Sequence, residues 1–157
     1  MSSDFFRVDE IQIPPGSRDL CGADIALMIL SSNVPESLAT PHIPRVDITA
    51  TADEYYTAHG YGDTNGAGQA GTRRWIDDRE VFCDGPECQR YVGNSIDVNE
   101  WIGSNGTCQG DSGGPALDEY ARVFGVLSRG GDGCTSSTYS DVEAWGDWIR
   151  AIADIAA

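Results

Sequence analysis

Basic residues are scarce in this chain of 157: ten Lys and Arg together face 25 Asp and Glu, for a net charge of −15. Such a surface repels phosphate backbones and anionic headgroups, which argues against nucleic acid and membrane as partners. Long apolar runs are missing as well. None approaches the roughly 18 residues of a membrane helix, so a soluble protein is expected. Residues 1–16 contain no basic start followed by an apolar stretch, so the chain as written carries no secretory signal. Only two histidines occur, His42 and His59, and the five cysteines lack zinc-ligand spacing with them. No metal and no cofactor is expected.

Hydrophobic residues make up 40%, in short runs broken by many of the 19 glycines and 7 prolines, a pattern that reads as mostly β. The length suits one domain or a large piece of a bigger one. Cys83 and Cys88 flank the turn-like Asp84-Gly85-Pro86-Glu87, and Cys108 and Cys134 flank a glycine-rich region. Two disulfides in an oxidising, secreted or otherwise extracytoplasmic setting are the better reading. Cys21 is then left over, either as a free thiol, with a partner elsewhere, or packed as a small apolar side chain.

Along the chain, residues 5–13 are β-type but their alternation slips between Val8 and Ile11, as a bulged extended segment would. Residues 23–30 form a short apolar run punctured by Asp24. Pro35, Pro41 and Pro44 make residues 31–45 an extended connection between two lobes. Residues 48–61, 73–83 and 122–128 read as strands, with residues 60–71 as a glycine-rich loop. Val142, Trp145, Trp148, Ile149, Ile152 and Ile155 recur at helical spacing and predict a C-terminal amphipathic helix. Ser140 and Glu143 have capping-box spacing, although a start one or two residues later fits equally.

The motif that carries chemistry is Gly110-Asp111-Ser112-Gly113-Gly114-Pro115, a serine set between glycines that leave the neighbouring N–H groups open to a substrate. Its Gly-x-Ser-x-Gly core also fits the nucleophile elbow of α/β-hydrolases. That fold needs a histidine after the serine and a strand-turn-helix around it, and neither is present. The order Asp, His, Ser of subtilisins has candidates but lacks the helical motifs of that family. The remaining order is His, Asp, Ser. Ala23-Asp24-Ile25-Ala26-Leu27, Cys108-Gln109-Gly110-Asp111-Ser112-Gly113-Gly114-Pro115, Ser128-Arg129-Gly130 with Cys134, and Gly60-Tyr61-Gly62 together resemble segments of the chymotrypsin/trypsin-like serine proteases.

The resemblance implies an all-β, trypsin-like double β-barrel. Residues 1–38 would be the remainder of the first barrel, 39–50 the connection, 51–139 a complete second barrel and 140–157 the C-terminal helix. Ser112 would be the nucleophile and Asp24 the orienter of a general-base histidine. The N–H groups of Gly110 and Ser112 would form the oxyanion hole. Gly106, Gln109, Ser128 and Gly130 would shape the specificity pocket. Gly106 at its floor offers nothing to pair with an Arg or Lys of the substrate, and the absence of a bulky residue at Gly130 leaves room for a medium or large apolar side chain. Arg129 replaces a frequent aromatic and is expected either to favour an acidic neighbour in the substrate or to face solvent. Gly60-Tyr61-Gly62 would open a strand.

The histidine box of that family falls upstream of Met1, and a misassigned start or truncated gene accounts for several absences at once. Neither His42 nor His59 is expected within reach of the serine oxygen. In the family Asp111 receives an activation-cleaved amino terminus; without one it is expected to sit unpaired, its loop relaxed. Asn105-Gly106-Thr107 fits a glycosylation sequon but would crowd the pocket. The leading function is a secreted serine endopeptidase acting on peptides or proteins, and a proteinaceous inhibitor is a possible partner. The alternative is an inactive protease-like binding module or a gene remnant.

Overall fold

The computed structural model describes residues 5–16, 21–64, 69–92 and 95–156. Residues 65–68 of the expected glycine-rich loop lie outside them. Two strands, β1 (Val8–Gln12) and β2 (Leu27–Leu30), pair antiparallel, with a register shift between Val8 and Glu10 where the alternation slips. The next strand, β3, is only Tyr55–Gly60, shorter than the expected 48–61. A turn intervenes: the Glu54 N–H donates to the Thr51 carbonyl at 3.2 Å, and Asp53 takes a left-handed φ of 67° that a strand does not admit.

Strand β4 (Arg74–Cys83) pairs with β3 and bulges opposite Thr57, where Asp78 has φ 54°. A helix that sequence reading missed, α1 (Gly85–Val92), follows it. The stretch read as a turn is a helix start: Asp84 Oδ1 accepts the Glu87 N–H at 3.1 Å, and Pro86 occupies the first turn. The Cys83–Cys88 disulfide ties this start to β4.

Strands β5 (Glu100–Gly103), β6 (Pro115–Leu117), β7 (Val123–Gly130) and β8 (Ser137–Asp141) complete a closed barrel in the order β3-β4-β5-β8-β7-β6. Its centre is aromatic. Trp101 stacks on Tyr139 with centroids 4.1 Å apart and on Phe124 at 5.0 Å, and Tyr56 meets all three edge-on. Burial pushes the Tyr56 phenol up to about 12. Arg45 crosses from the connecting segment to lie 4.3 Å from the Phe124 ring centroid, paired with Glu54 and with Asp118 at 3.5 Å.

The C-terminal helix, α2 (Gly146–Ala156), forms as the periodicity predicts, after a short 3-10 turn at Glu143–Trp145. The Glu143 N–H at the head of that 3-10 turn donates to Asp141 Oδ1 at 3.0 Å, and the expected Ser140/Glu143 box does not form. Ile149 packs with Val142, Ile25 and Leu27, so α2 fastens the two-stranded sheet to the barrel.

Candidate active site

The loop between β5 and β6 is shaped by two left-handed glycines, Gly110 (φ 94°) and Gly113 (φ 84°), a conformation that side chains disfavour. Its N–H groups divide into two sets. Those of Asp111, Gly113 and Gly114 donate to the carbonyls of Cys108, Leu127 and Asp111 at 2.7–3.0 Å. Those of Gly110 and Ser112 donate to no described residue. Ser112 is exposed, and its Oγ has no hydrogen-bond partner among the described residues. The loop therefore presents one hydroxyl and two open donors to solvent, the elements of an oxyanion site.

Asp111 is not unpaired, contrary to expectation. Its Oδ1 accepts the Gly62 N–H at 2.6 Å and its Oδ2 the Cys108 N–H at 2.8 Å. A Cβ on Gly60 or Gly62 would stand 2.0 or 2.6 Å from Oδ1, so this glycine pair makes room for the carboxylate. Gly60 also ends β3, whereas the resemblance had Gly60-Tyr61-Gly62 opening a strand. Backbone donors keep the loop ordered where an ion pair was expected to be needed.

Asp24, just ahead of β2, receives the Ser128 hydroxyl at Oδ2 over 2.7 Å, and its carbonyl accepts the Ser140 hydroxyl at 2.9 Å. Two barrel strands thus hold the residue from outside the barrel. Arg129 lines the cavity of Ser112 but does not simply face solvent, because its guanidinium is paired. Its fork grips the fully buried Glu100 at 2.5 and 2.8 Å, donates to the Ser95 carbonyl at 2.8 Å, and lies 3.4 Å from Ser128 Oγ. Burial alone would raise the Glu100 pKa. The guanidinium and the N–H groups of Asp97 and Gly22 outweigh it and hold the carboxylate below its ordinary value. Sequence reading missed Glu100; the only signal was an acid opening an otherwise apolar strand.

Ser112, Gln109, Ser128 and Gly130 are brought together around a cavity of about 600 Å³. Gly106 lines a neighbouring cavity of about 500 Å³, with Asn105 and Arg79, and not this one. Thr107 lines both. It is buried, its Oγ1 lies 2.6 Å from Ser137 Oγ, and Ser137 donates onward to the Ser104 carbonyl at 2.9 Å. This hydroxyl pair gives the cavity an uncharged polar patch, while Asp63, Arg129 and Asp132 also line it. The Cys108–Cys134 disulfide joins two walls of the cavity, and Cys21 is a free, exposed thiol. Asn105 is exposed and lines the neighbouring cavity, not the one that contains Ser112, where the sequon was expected to crowd the pocket.

A third cavity, of about 730 Å³, opens on the other side of Ser112 and contains both histidines. His42 is fixed through its Nδ1, 2.8 Å from the Ala121 carbonyl. Neither imidazole hydrogen-bonds to Ser112 among the described residues. No group of three His, Cys, Asp or Glu among them could hold a metal ion, and no described helix is long and apolar enough to cross a membrane.

A family model described as Trypsin matches residues 2–149. The suppressor of tumorigenicity 14 protein homolog of Bos taurus is 33% identical over 144 residues, covering 82% of this chain and 16% of that protein. The snake venom serine protease nikobin of Vipera nikolskii is 34% identical over 64 residues, which is 38% of this chain and 24% of that one. This chain therefore spans a minor part of the length of either relative. In fold it is similar to neuropsin, a serine protease expressed in the limbic system of mouse brain. The TM-score is 0.77 at 21% identity, over 94% of this chain and 71% of that structure. With a closed six-stranded barrel, a smaller two-stranded sheet, a C-terminal helix and a family match across nearly its whole length, the chain belongs to the trypsin-like serine proteases.

Proposed function

We propose that this chain carries the nucleophile half of a secreted serine endopeptidase, with Ser112 as nucleophile and Asp24 as the carboxylate that orients a base histidine. The observation that carries this reading is the pairing of an exposed Ser112 hydroxyl with two N–H groups, of Gly110 and Ser112, that bond to no described residue. In the reaction, Ser112 Oγ adds to a peptide carbonyl while its proton passes to the imidazole. The resulting oxyanion is held by the two N–H groups. Collapse breaks the C–N bond, the proton goes to the leaving amine, and water then hydrolyses the acyl ester by the same steps.

The base is a histidine other than His42 and His59, brought by a segment that packs on the exposed face of β1 and β2 beside Asp24. On this reading residues 1–38 belong to a first barrel, 51–139 form the second, and Asp111 organises the oxyanion loop. Gln109, Ser128, Gly130 and the Thr107 wall receive the side chain before the cleaved bond, with Gly106 in the neighbouring cavity. The two disulfides support an extracytoplasmic location.

A fluorophosphonate probe on protein purified from its source tests this. The adduct is expected on Ser112 by peptide mapping, with casein cleavage reduced by about 10⁶ in Ser112→Ala and by about 10⁴ in Asp24→Asn. Cleavage that survives Ser112→Ala overturns the proposal. Peptide binding without any reaction at Ser112 favours the alternative, a protease-like binding module.

A further inference from the structure

Ser112 stands between two cavities: the 600 Å³ one that contains Gln109, Ser128 and Gly130, and the 730 Å³ one that contains His42, His59, Tyr61 and Arg73. If the first takes the side chain before the cleaved bond, the second receives the residues after it. Its charge differs from the rest of this acidic protein. Asp111 is its only carboxylate, and both oxygens already accept backbone N–H groups. Arg7, Arg45, Arg122, Arg129 and Arg150 are each paired with an acid. Arg74 and Arg79 donate only to carbonyl and amide oxygens. The exposed Arg73, like Arg90 on α1, has no hydrogen bond and no carboxylate partner among the described residues, and of these it is Arg73 that lines the cavity containing Ser112. Its charge bears instead on His59, whose pKa is lowered by burial first and then by Arg73 and His42, against a smaller opposing pull from Asp77.

A guanidinium with no acid partner, lining the same cavity as the nucleophile in a chain with 15 excess negative charges, is a recognition element in want of an anion. Arg73 supplies one positive charge, set against the Asp111 carboxylate that backbone N–H groups already hold, and a His59 with a lowered pKa is neutral near pH 7 and donates or accepts a hydrogen bond without adding charge. That matches a carboxylate better than a dianionic phosphate.

We propose that the cavity of His42, His59 and Arg73 binds a carboxylate on the leaving-group side of the substrate, so that this protein selects peptides that are acidic just after the cleaved bond. The proposal rests on Ser112 being the nucleophile of a peptidase. The carboxylate can come from an Asp or Glu side chain or from the free C-terminus of a short substrate, and both present the same group to the guanidinium fork.

Calorimetric titration of the full chain carrying Ser112→Ala tests it without any cleavage. Three peptides share the same four residues before the bond and end in Gly-Ala-amide, Asp-Ala-amide or Gly-Ala with a free carboxylate. One or both acidic peptides are expected to bind about five- to tenfold more tightly than the neutral one, the range of a partly exposed charge-assisted pair. The peptide that gains identifies the source. Arg73→Gln is expected to abolish the gain and leave the neutral peptide unchanged, and 0.5 M salt to shrink it. Equal affinity for all three peptides, no binding of any, or a preference that survives Arg73→Gln overturns the proposal. A peptidase reading that fails at Ser112 shows itself separately, as absent cleavage by the unsubstituted protein.

Discussion

The six-stranded barrel and the two-stranded sheet of the same chain are built on opposite terms. In the barrel, Trp101, Tyr56, Phe124 and Tyr139 are at most 3% exposed and lie against one another. In the sheet, Ile11 and Met28 are 62% and 64% exposed, and Phe5, just before β1, is 95% exposed. Closure gives every barrel strand two neighbours and an interior. A pair of strands has one interface and two free edges, so its apolar residues remain in water unless something covers them. The candidate site straddles the boundary. Ser112 and its donors belong to the barrel, whereas Asp24 belongs to the sheet side and is held through Ser128 and Ser140.

The contrast can be broken most directly in the aromatic centre. Trp101→Ala is expected to cost about 3–5 kcal/mol in urea unfolding, while Ile11→Ala on the sheet costs less than about 0.5 kcal/mol. Equal losses would show that the sheet has a core of its own. Next comes the ion pair that backs the seam. Glu100→Gln leaves the Arg129 fork half-paired and is expected to cost roughly 2 kcal/mol, with part regained in Glu100→Gln/Arg129→Met.

The same group sets an acid limit. The Glu100 pKa is lower folded than unfolded, so its contribution is complete above the unfolded value of about 4.3 and fades as pH falls through the folded one. Asp141, raised chiefly by burial, works in the opposite direction: the folded state takes up that proton first, which favours it on acidification. Melting curves from pH 7 to 3 should therefore show a steeper acid loss in the parent than in Glu100→Gln. The smallest effect is at the seam itself. Ser128→Ala removes one hydrogen bond to Asp24, for about 1 kcal/mol, and sharpens the comparison if faster amide exchange around Asp24 leaves β5 and β8 untouched.

Much of this was legible in the residues. The slip between Val8 and Ile11 is the β1 bulge, the 3.6-residue spacing is α2, and the glycines around Ser112 are left-handed where the motif needs them. Both expected cysteine pairs formed, Cys83–Cys88 although the residues between them open a helix and not a turn, and Cys108–Cys134 across the glycine-rich region. Failures came where two local readings competed. Asp84-Gly85-Pro86 is both a turn and a helix start, and residues 48–54 have strand-type side chains yet end in a turn at Asp53.

What the sequence by itself determined is therefore local: strand and helix periodicity, and a serine loop whose backbone angles depend on its own glycines. Only the tertiary structure decided that Asp111 is held by Gly62 across 49 positions, that Ser128 reaches Asp24 across 104, that Glu100 takes the Arg129 fork, and that His42, His59 and Arg73 share a cavity with Ser112. The physical reason is range. Backbone preferences act over a few residues, whereas these contacts exist only after the barrel closes and brings distant segments within hydrogen-bonding distance.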